Sequence, residues 1–311
     1  MSTILLTGSN GLLGQKLVQL IIEKGEYNLI ATAKGENRLP DFFPPLPRRG
    51  AGGESSIFHS IDVTDREQVQ QAIARFKPGY VIHTAAMTNV DQCETERESC
   101  WKLNVDAVQY LADACAEHNA FLLHLSTDFI FDGAAGPYDE TAKAHPLSYY
   151  GESKLAAERI LLGRQDLRWA VARTILVYGI AHDMSRSNII LWVKNSLESG
   201  KAIKVVDDQW RTPTLAEDLA TGCYLIVRHN ATGIFNISGK DLLTPWEMAN
   251  QTADFFNLDK SLMTRADSTT FTQPAKRPAR TGFVIEKART QLGYEPHSFR
   301  EGIAIVADQT K

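Results

Sequence analysis

Short apolar runs alternate with stretches of helical periodicity through the first half of the chain. Residues 3–7 are strand formers and lead into Gly8-Ser9-Asn10-Gly11-Leu12-Leu13-Gly14, after which Leu17, Val18, Leu20, Ile21 and Ile22 recur at helical spacing. The same alternation predicts strands over 27–33, 57–61, 80–83 and 120–125, and helices over 66–76, over 100–115 and from 150 onward. Thr64 or Asp65 is placed to cap the helix that starts at 66. Between these elements, residues 41–54 carry Pro44, Pro45, Pro47, Gly50, Gly52 and Gly53, a loop composition. Strands alternating with helices predict an α/β fold built on a doubly wound parallel sheet, because parallel neighbours need right-handed crossovers.

From residue 169 the pattern loosens. It predicts a strand over 170–177, a helix over 188–199, a strand from 205 running into the polar loop Asp207-Asp208-Gln209-Trp210-Arg211-Thr212-Pro213, a helix over 215–228 and a strand over 233–238. Residues 244–311 hold short amphipathic helices and basic loops. The expected division is a dinucleotide-binding domain over 1–175 with returns near 213–238, interleaved with a second, smaller lobe made mainly from 176–311.

Bulk properties narrow the function. The 311 residues are 43% hydrophobic and 23% charged, with a formal net charge of −4, ordinary for a globular chain and without the basic excess of a nucleic-acid binder. Apolar runs stay well short of the ~20 residues of a membrane span. Met1 leads straight into strand formers, with no basic segment or small-residue cleavage site, which reads as no signal peptide. Cys93, Cys100, Cys115 and Cys223 lack zinc-ligand spacing and a disulfide pattern. The expectation is a cytoplasmic protein with reduced thiols, and with neither nucleic acid, membrane nor metal as a partner.

Ligands of parallel sheets bind beyond the C-terminal strand ends. Gly8, Asp62, Ala85 and Thr127 each follow a predicted strand and are expected to line one crevice. The spacing Gly8-x-x-Gly11-x-x-Gly14, between a strand and a helix, suits a diphosphate: glycine lets the backbone approach, and free N–H groups at a helix start attract anions. The strand ending at Ala33 brings no carboxylate, and Lys34 and Arg38 follow. Their charge suits the 2′-phosphate of NADP, whereas Glu36 between them is placed to reach a ribose instead. NADPH is the expected cofactor, with NADH still usable.

Tyr150 and Lys154 stand one helical turn apart and so share a face. A cation beside a phenol favours the phenolate, and the expected result is a lowered pKa and a general acid or base near neutral pH. Tyr149 has Ser153 at the corresponding position, which supplies no charge.

Thr7-Gly8-x-x-Gly11-x-x-Gly14, Asp62, Asn104, Ser126-Thr127 and Tyr150-x-x-x-Lys154, in this order, resemble the extended short-chain dehydrogenase/reductases. The stretches from Thr84 to Glu94, from Ser126 to Gly133, and Asp208-Gln209 with Pro213-Thr214 look like the dTDP-4-dehydrorhamnose reductase group over nearly the whole chain. The resemblance implies a Rossmann-like fold and hydride delivery from a nicotinamide cofactor to the C4 ketone of a nucleotide-linked sugar. It implies that Thr127, Tyr150 and Lys154 are the catalytic trio, with Asn104 behind them either in a water relay or bending its helix. Cofactor contacts fall to Gly8, Asn10, Gly11, Leu12, Leu13, Gly14, Lys34, Arg38, Asp62, Val63, Ala85, Ala86, Tyr150 and Lys154. Asp128 and Gln209 become candidate sugar contacts, the charge of Arg211 and Arg277 suits substrate binding through a sugar-linked diphosphate, and a homodimer is a possible assembly.

Three departures fall on the substrate side. Leu176 replaces the group's tryptophan, Arg211 replaces a glycine, and an Arg-Pro-x-Asn-Ser pattern reads Arg277-Pro278-Ala279-Arg280-Thr281. The alternatives are a reductase or epimerase of another carbonyl substrate, and a regulatory subunit like the beta subunit of methionine adenosyltransferase, which resembles the same group.

Overall fold

The computed structural model describes residues 1–42, 56–183 and 188–310; most of the proline- and glycine-rich loop expected over 41–54 lies outside them. The chain begins with β1 (Thr3–Thr7), α1 (Leu12–Lys24), β2 (Asn28–Ala33), β3 (Ser56–Ser60), α2 (Arg66–Phe76), β4 (Tyr80–His83), α3 (Val90–Thr95) and α4 (Arg97–Trp101). It continues through α5 (Ala107–Glu117), β5 (Phe121–Thr127), α6 (Tyr149–Leu162), β6 (Trp169–Thr174), β7 (Val177–Tyr178) and α7 (Ile189–Glu198). Then come β8 (Ile203–Val206), β9 (Thr214–Leu215), α8 (Ala216–Arg228), β10 (Gly233–Asn236), α9 (Pro245–Phe255), β11 (Met263–Ala266), α10 (Glu286–Leu292) and α11 (Phe299–Asp308).

Among the described residues seven strands form one sheet in the order β3-β2-β1-β4-β5-β6-β10, and every pairing is parallel. The central strands are apolar on both faces, as a sheet covered by helices on both sides requires. Ile4, Leu6, Leu123 and Leu125 pack with Leu17 and Ile21 of α1 and Leu219 and Ile226 of α8. Leu5, Val81, Leu122 and Val171 pack on the other face with Ile73 of α2, Leu111 of α5 and Leu161 of α6. The strand order reverses between β1 and β4, and the resulting crevice at the C-terminal strand ends is the natural ligand position.

Smaller sheets lie to one side. β8 pairs with β11 over a core that includes Val193, Leu197, Val205, Ala249 and Met263. Tyr178, Ile190, Met248, Phe299 and Ile303 form a further cluster. The chain crosses back repeatedly: α8, β10 and α10 all contribute to the main core, through residues such as Tyr224, Phe235 and Leu292.

Three local expectations need correction. The strand expected over 170–177 stops at Thr174; Leu176 has φ +38°, and Val177–Tyr178 pairs with β9 instead of continuing in the main sheet. The helix expected over 100–115 is interrupted by a π-helical turn at Lys102–Asp106, a wider turn that periodicity does not signal. β11 lies in the tail expected to hold short helices and basic loops. Among the described residues no helix is long and apolar enough to cross a membrane.

Candidate active site

Backbone geometry builds the first half of the crevice. Gly8 has φ +76°, and a Cβ there would come within 2.7 Å of the Ala85 amide nitrogen, so the loop after β1 rests directly on the loop after β4. A Cβ on Gly14 would collide with the Gly8 carbonyl oxygen and lie 2.7 Å from Ser9 Cα. No side chain caps α1 and no acid occupies its first turn, which leaves the N–H groups around Leu12 and Leu13 for an anion. These features fit a dinucleotide cofactor, whose diphosphate the glycine loop and the start of α1 would hold.

Side chains shape the adenosine end. Asn10 Nδ2 donates to the Glu36 carbonyl at 2.8 Å, and Asn10 Oδ1 accepts from the Arg38 amide at 3.1 Å, so Asn10 ties the glycine loop to the turn after β2. Lys34 Nζ pairs with Asp62 at 2.8 Å, and Arg38 Nε lies 3.6 Å from Asp183. Burial alone would raise the Asp62 carboxyl, but hydrogen bonds from Lys34 and Thr64 outweigh it and hold the pKa at about 2. Val63 is buried beside Asp62. Both cations expected to receive a 2′-phosphate are therefore present at one strand end, each beside a carboxylate.

Thr127 ends β5 and accepts from the Phe129 amide at 3.3 Å, which starts a 3-10 turn. Ser148 caps α6 by accepting from the Gly151 amide at 3.2 Å. A side chain at Gly151 would overlap the Phe129 carbonyl, so α6 lies close against that turn. Tyr150 is 8% exposed and packs edge-on to Phe129, with ring centroids 5.7 Å apart. Tyr149 points elsewhere: Arg97 lies 4.8 Å above its ring.

The electrostatics correct the expectation for this pair. Burial dominates and raises the Tyr150 pKa far above its ordinary value, while the neighbouring Thr127 hydroxyl opposes it only in part. Burial also brings Lys154 down to about 8, against the attraction of Glu158. Lys154 Nζ donates to His124 Nε2 at 3.2 Å. A phenol held protonated near neutral pH is suited to giving a proton, which is the task of an acid when a carbonyl is reduced.

Asn104 is fully engaged. Its Oδ1 accepts from the Met87 amide at 2.8 Å, and its Nδ2 donates to Met87 O at 3.1 Å and to Ser153 Oγ at 3.1 Å. Through these contacts Asn104 ties the π-helical turn to the loop after β4 and to α6.

On the substrate side, polar groups meet one another. Asp128 is 2% exposed, and its Oδ2 accepts from Thr281 Oγ1 at 2.5 Å and lies 3.7 Å from Arg211 Nε. Burial raises the Asp128 carboxyl, opposed by Arg211 and Thr281. The rest of the Arg211 guanidinium donates to the carbonyls of Trp210, Pro278 and Ala279. Arg277 makes a bidentate pair with Asp91, at 2.7 and 3.2 Å. Gln209 is half-buried in the loop after β8. Sequence reading missed Thr281, Asp91, His83 and His124; the two histidines carried a signal, since His124 interrupts the apolar run of β5 and His83 closes that of β4.

A doubly wound sheet with a glycine loop after β1 and a Thr-Tyr-Lys trio at the end of β5 and the start of α6 defines an extended short-chain dehydrogenase/reductase. The chain belongs to the RmlD substrate binding domain family, whose family model matches residues 1–311. It is 30% identical to the dTDP-4-dehydrorhamnose reductase of Aggregatibacter actinomycetemcomitans, over 97% of each chain. The crystal structure of dTDP-4-dehydrorhamnose reductase from Bacillus anthracis in complex with NADP superposes with a TM-score of 0.83 at 25% identity, over 99% of both chains. The chain is also 32% identical to methionine adenosyltransferase 2 subunit beta of Xenopus laevis, over 83% of this chain and 73% of that one.

Proposed function

We propose that this protein is an NADPH-dependent reductase of a nucleotide-activated 4-keto sugar, of the dTDP-4-dehydrorhamnose reductase kind. The observation that carries the reading is a buried, proton-bearing Tyr150 beside Thr127, at the same strand ends as an uncapped helix start shaped by glycines. A bound nicotinamide cofactor supplies the hydride. Thr127 Oγ1 donates to the carbonyl oxygen and orients it, an interaction that strengthens as negative charge develops there. Tyr150 then gives its proton to that oxygen, and Lys154 supports the resulting phenolate with positive charge. Gly8, Gly11, Gly14, Leu12, Leu13, Asn10, Val63, Ala85 and Ala86 hold the cofactor, with Lys34 and Arg38 at its 2′-phosphate. Asp128, with Gln209 and Arg211, borders the sugar, and Arg277 lies further out. The cofactor-binding unit is made from residues 1–175 and the returning segments near 213–238, and the substrate lobe mainly from 176–311.

The intact trio favours chemistry over a purely regulatory role of the methionine adenosyltransferase beta kind. Mixing the purified protein with NADPH and a panel of 4-keto sugar nucleotides tests this directly. Cofactor oxidation with stoichiometric reduced sugar supports the proposal. If none of the panel is reduced while the protein binds a methionine adenosyltransferase catalytic subunit, the regulatory reading replaces it.

A further inference from the structure

Two histidines occupy the apolar middle of the main sheet. His83 on β4 and His124 on β5 are register partners, each 1% exposed, and their rings stack at 5.5 Å with 23° between their planes. Thr7, the register partner of His83 on β1, places its hydroxyl 2.7 Å from His83 Nδ1. At the other end Lys154 Nζ meets His124 Nε2 at 3.2 Å. A polar row therefore crosses three adjacent strands, from the residue before the glycine loop to the amine of Lys154. Burying polar rings is costly unless they are hydrogen-bonded, and among the described residues His83 Nε2 and His124 Nδ1 have no partner. Apolar residues would fill these positions at lower cost to the fold, so the row calls for a functional explanation.

The chemistry of the contact fixes its direction. An ammonium only donates, so His124 Nε2 accepts and the neutral ring carries its proton on Nδ1. A protonated His124 would set two cations 3.2 Å apart in the interior. Burial, and secondarily the charge of Lys154, hold both histidines well below their ordinary values, His83 at about 3. The other groups facing Lys154 do not substitute for this acceptor. Glu158, one turn further along α6, is committed to Arg173 of β6 at 2.7 and 3.0 Å. The thiols of Cys93 on α3 and Cys100 on α4 are engaged elsewhere, Cys93 Sγ at 3.7 Å from Met87 O and Cys100 Sγ at 3.6 Å from Ser153 Oγ. Among the described residues, His124 is the hydrogen-bond acceptor of the Lys154 amine.

We propose that His124 is a positioning residue for Lys154: its Nε2 lone pair keeps the buried amine protonated and fixed beneath the Tyr150 crevice, while His83, braced by Thr7, holds the His124 ring in plane. This rests on the reading of Lys154 as a member of the catalytic trio. A hydrogen bond to the charged form favours that form, so removing the acceptor lowers the pKa of Lys154 below about 8. The alkaline limb of turnover, which belongs to the Tyr150–Lys154 pair as a unit, then moves to lower pH.

The test compares His124→Met with His124→Gln, which are similar in shape and differ in whether they present a strong acceptor. The Lys154 side chain is titrated by NMR on lysine-labelled protein, with its signal assigned by loss in Lys154→Met, and the pH profile of kcat/KM is recorded in parallel. The methionine variant is expected to lower the Lys154 pKa by about one unit and to shift the alkaline limb with it, while the glutamine variant stays near the parent. An unmoved Lys154 titration in His124→Met, or an equal shift in His124→Gln, overturns the proposal. If the methionine variant does not fold, the glutamine variant decides alone, and a full-unit fall in it is the refuting result. The titration needs no sugar substrate, so a protein inactive on every sugar would refute the reductase reading while leaving the role of His124 decided.

Discussion

The two sides of the crevice are made in different ways. At the glycine loop the cofactor side is backbone: Gly8 and Gly14 are shaped by what a Cβ would strike, and α1 begins without a side-chain cap among the described residues, while side chains enter only at the turn after β2. The substrate side is side chain against side chain, with Asp128, Arg211 and Thr281 in one buried group and Arg277 held by Asp91. One side is open to a ligand of fixed chemistry, and the other has arranged its charges internally. The difference teaches that a ligand of fixed chemistry can be met by bare backbone, whereas the Arg211 wall holds its charge among its own side chains and carbonyls.

The largest expected effect tests the shared machinery. Tyr150→Phe removes a hydroxyl and little volume, so turnover should fall by roughly 10²–10⁴-fold, while NADPH affinity, read by fluorescence titration, stays near the parent. Tyr149→Phe should leave turnover within a few-fold of the parent. Loss in the second variant with retention in the first would reverse the assignment.

Arg211→Ala comes next and acts on stability. It leaves the buried Asp128 carboxylate without its cationic neighbour, a change that typically costs about 3–5 kcal/mol, measured as the loss in a urea unfolding curve. Asp128→Asn should soften the effect in the double variant, because the uncompensated charge is removed. A stability loss in Arg211→Ala of less than about 1 kcal/mol, the range of exposed ion pairs, would show that this wall is not held by charge.

Lys34→Ala should have the smallest effect, and on the cofactor side only. It removes one cation from the expected 2′-phosphate position and is predicted to weaken NADPH by up to about tenfold, with NADH little changed. Calorimetric titration of both cofactors reads it, and equal losses for the two would remove Lys34 from the phosphate site.

Residues close together in sequence carried most of what could be read in advance. The glycines from Gly8 to Gly14 and the pair Tyr150 and Lys154 are local patterns whose spacing already fixes their geometry, and the helix at Arg66–Phe76 begins and ends where its cap and periodicity place it. The substrate wall was obscure because its contacts join distant segments: Thr281 reaches Asp128 across 153 positions, and Arg277 reaches Asp91 across 186. The direction of the Tyr150 shift was also out of reach, since spacing brings Lys154 near but does not show how thoroughly the phenol is buried. His124 was visible as a lone polar residue in an apolar strand, yet only the fold places it against Lys154.

The position of β10 bears on how the chain is made. Strands β1 to β6 emerge from the ribosome in order, but the strand that closes the β6 edge lies beyond residue 232, and α8 and α10, which cover one face of the sheet, come later than β6. Until they are synthesised, the nascent chain holds a parallel sheet with an open edge and an apolar face that α1 covers only in part, features that invite intermolecular strand pairing. Translation of the segment from Thr174 to Leu292 is therefore the interval in which this exposure lasts, and slower synthesis there should increase aggregation before it affects the finished protein.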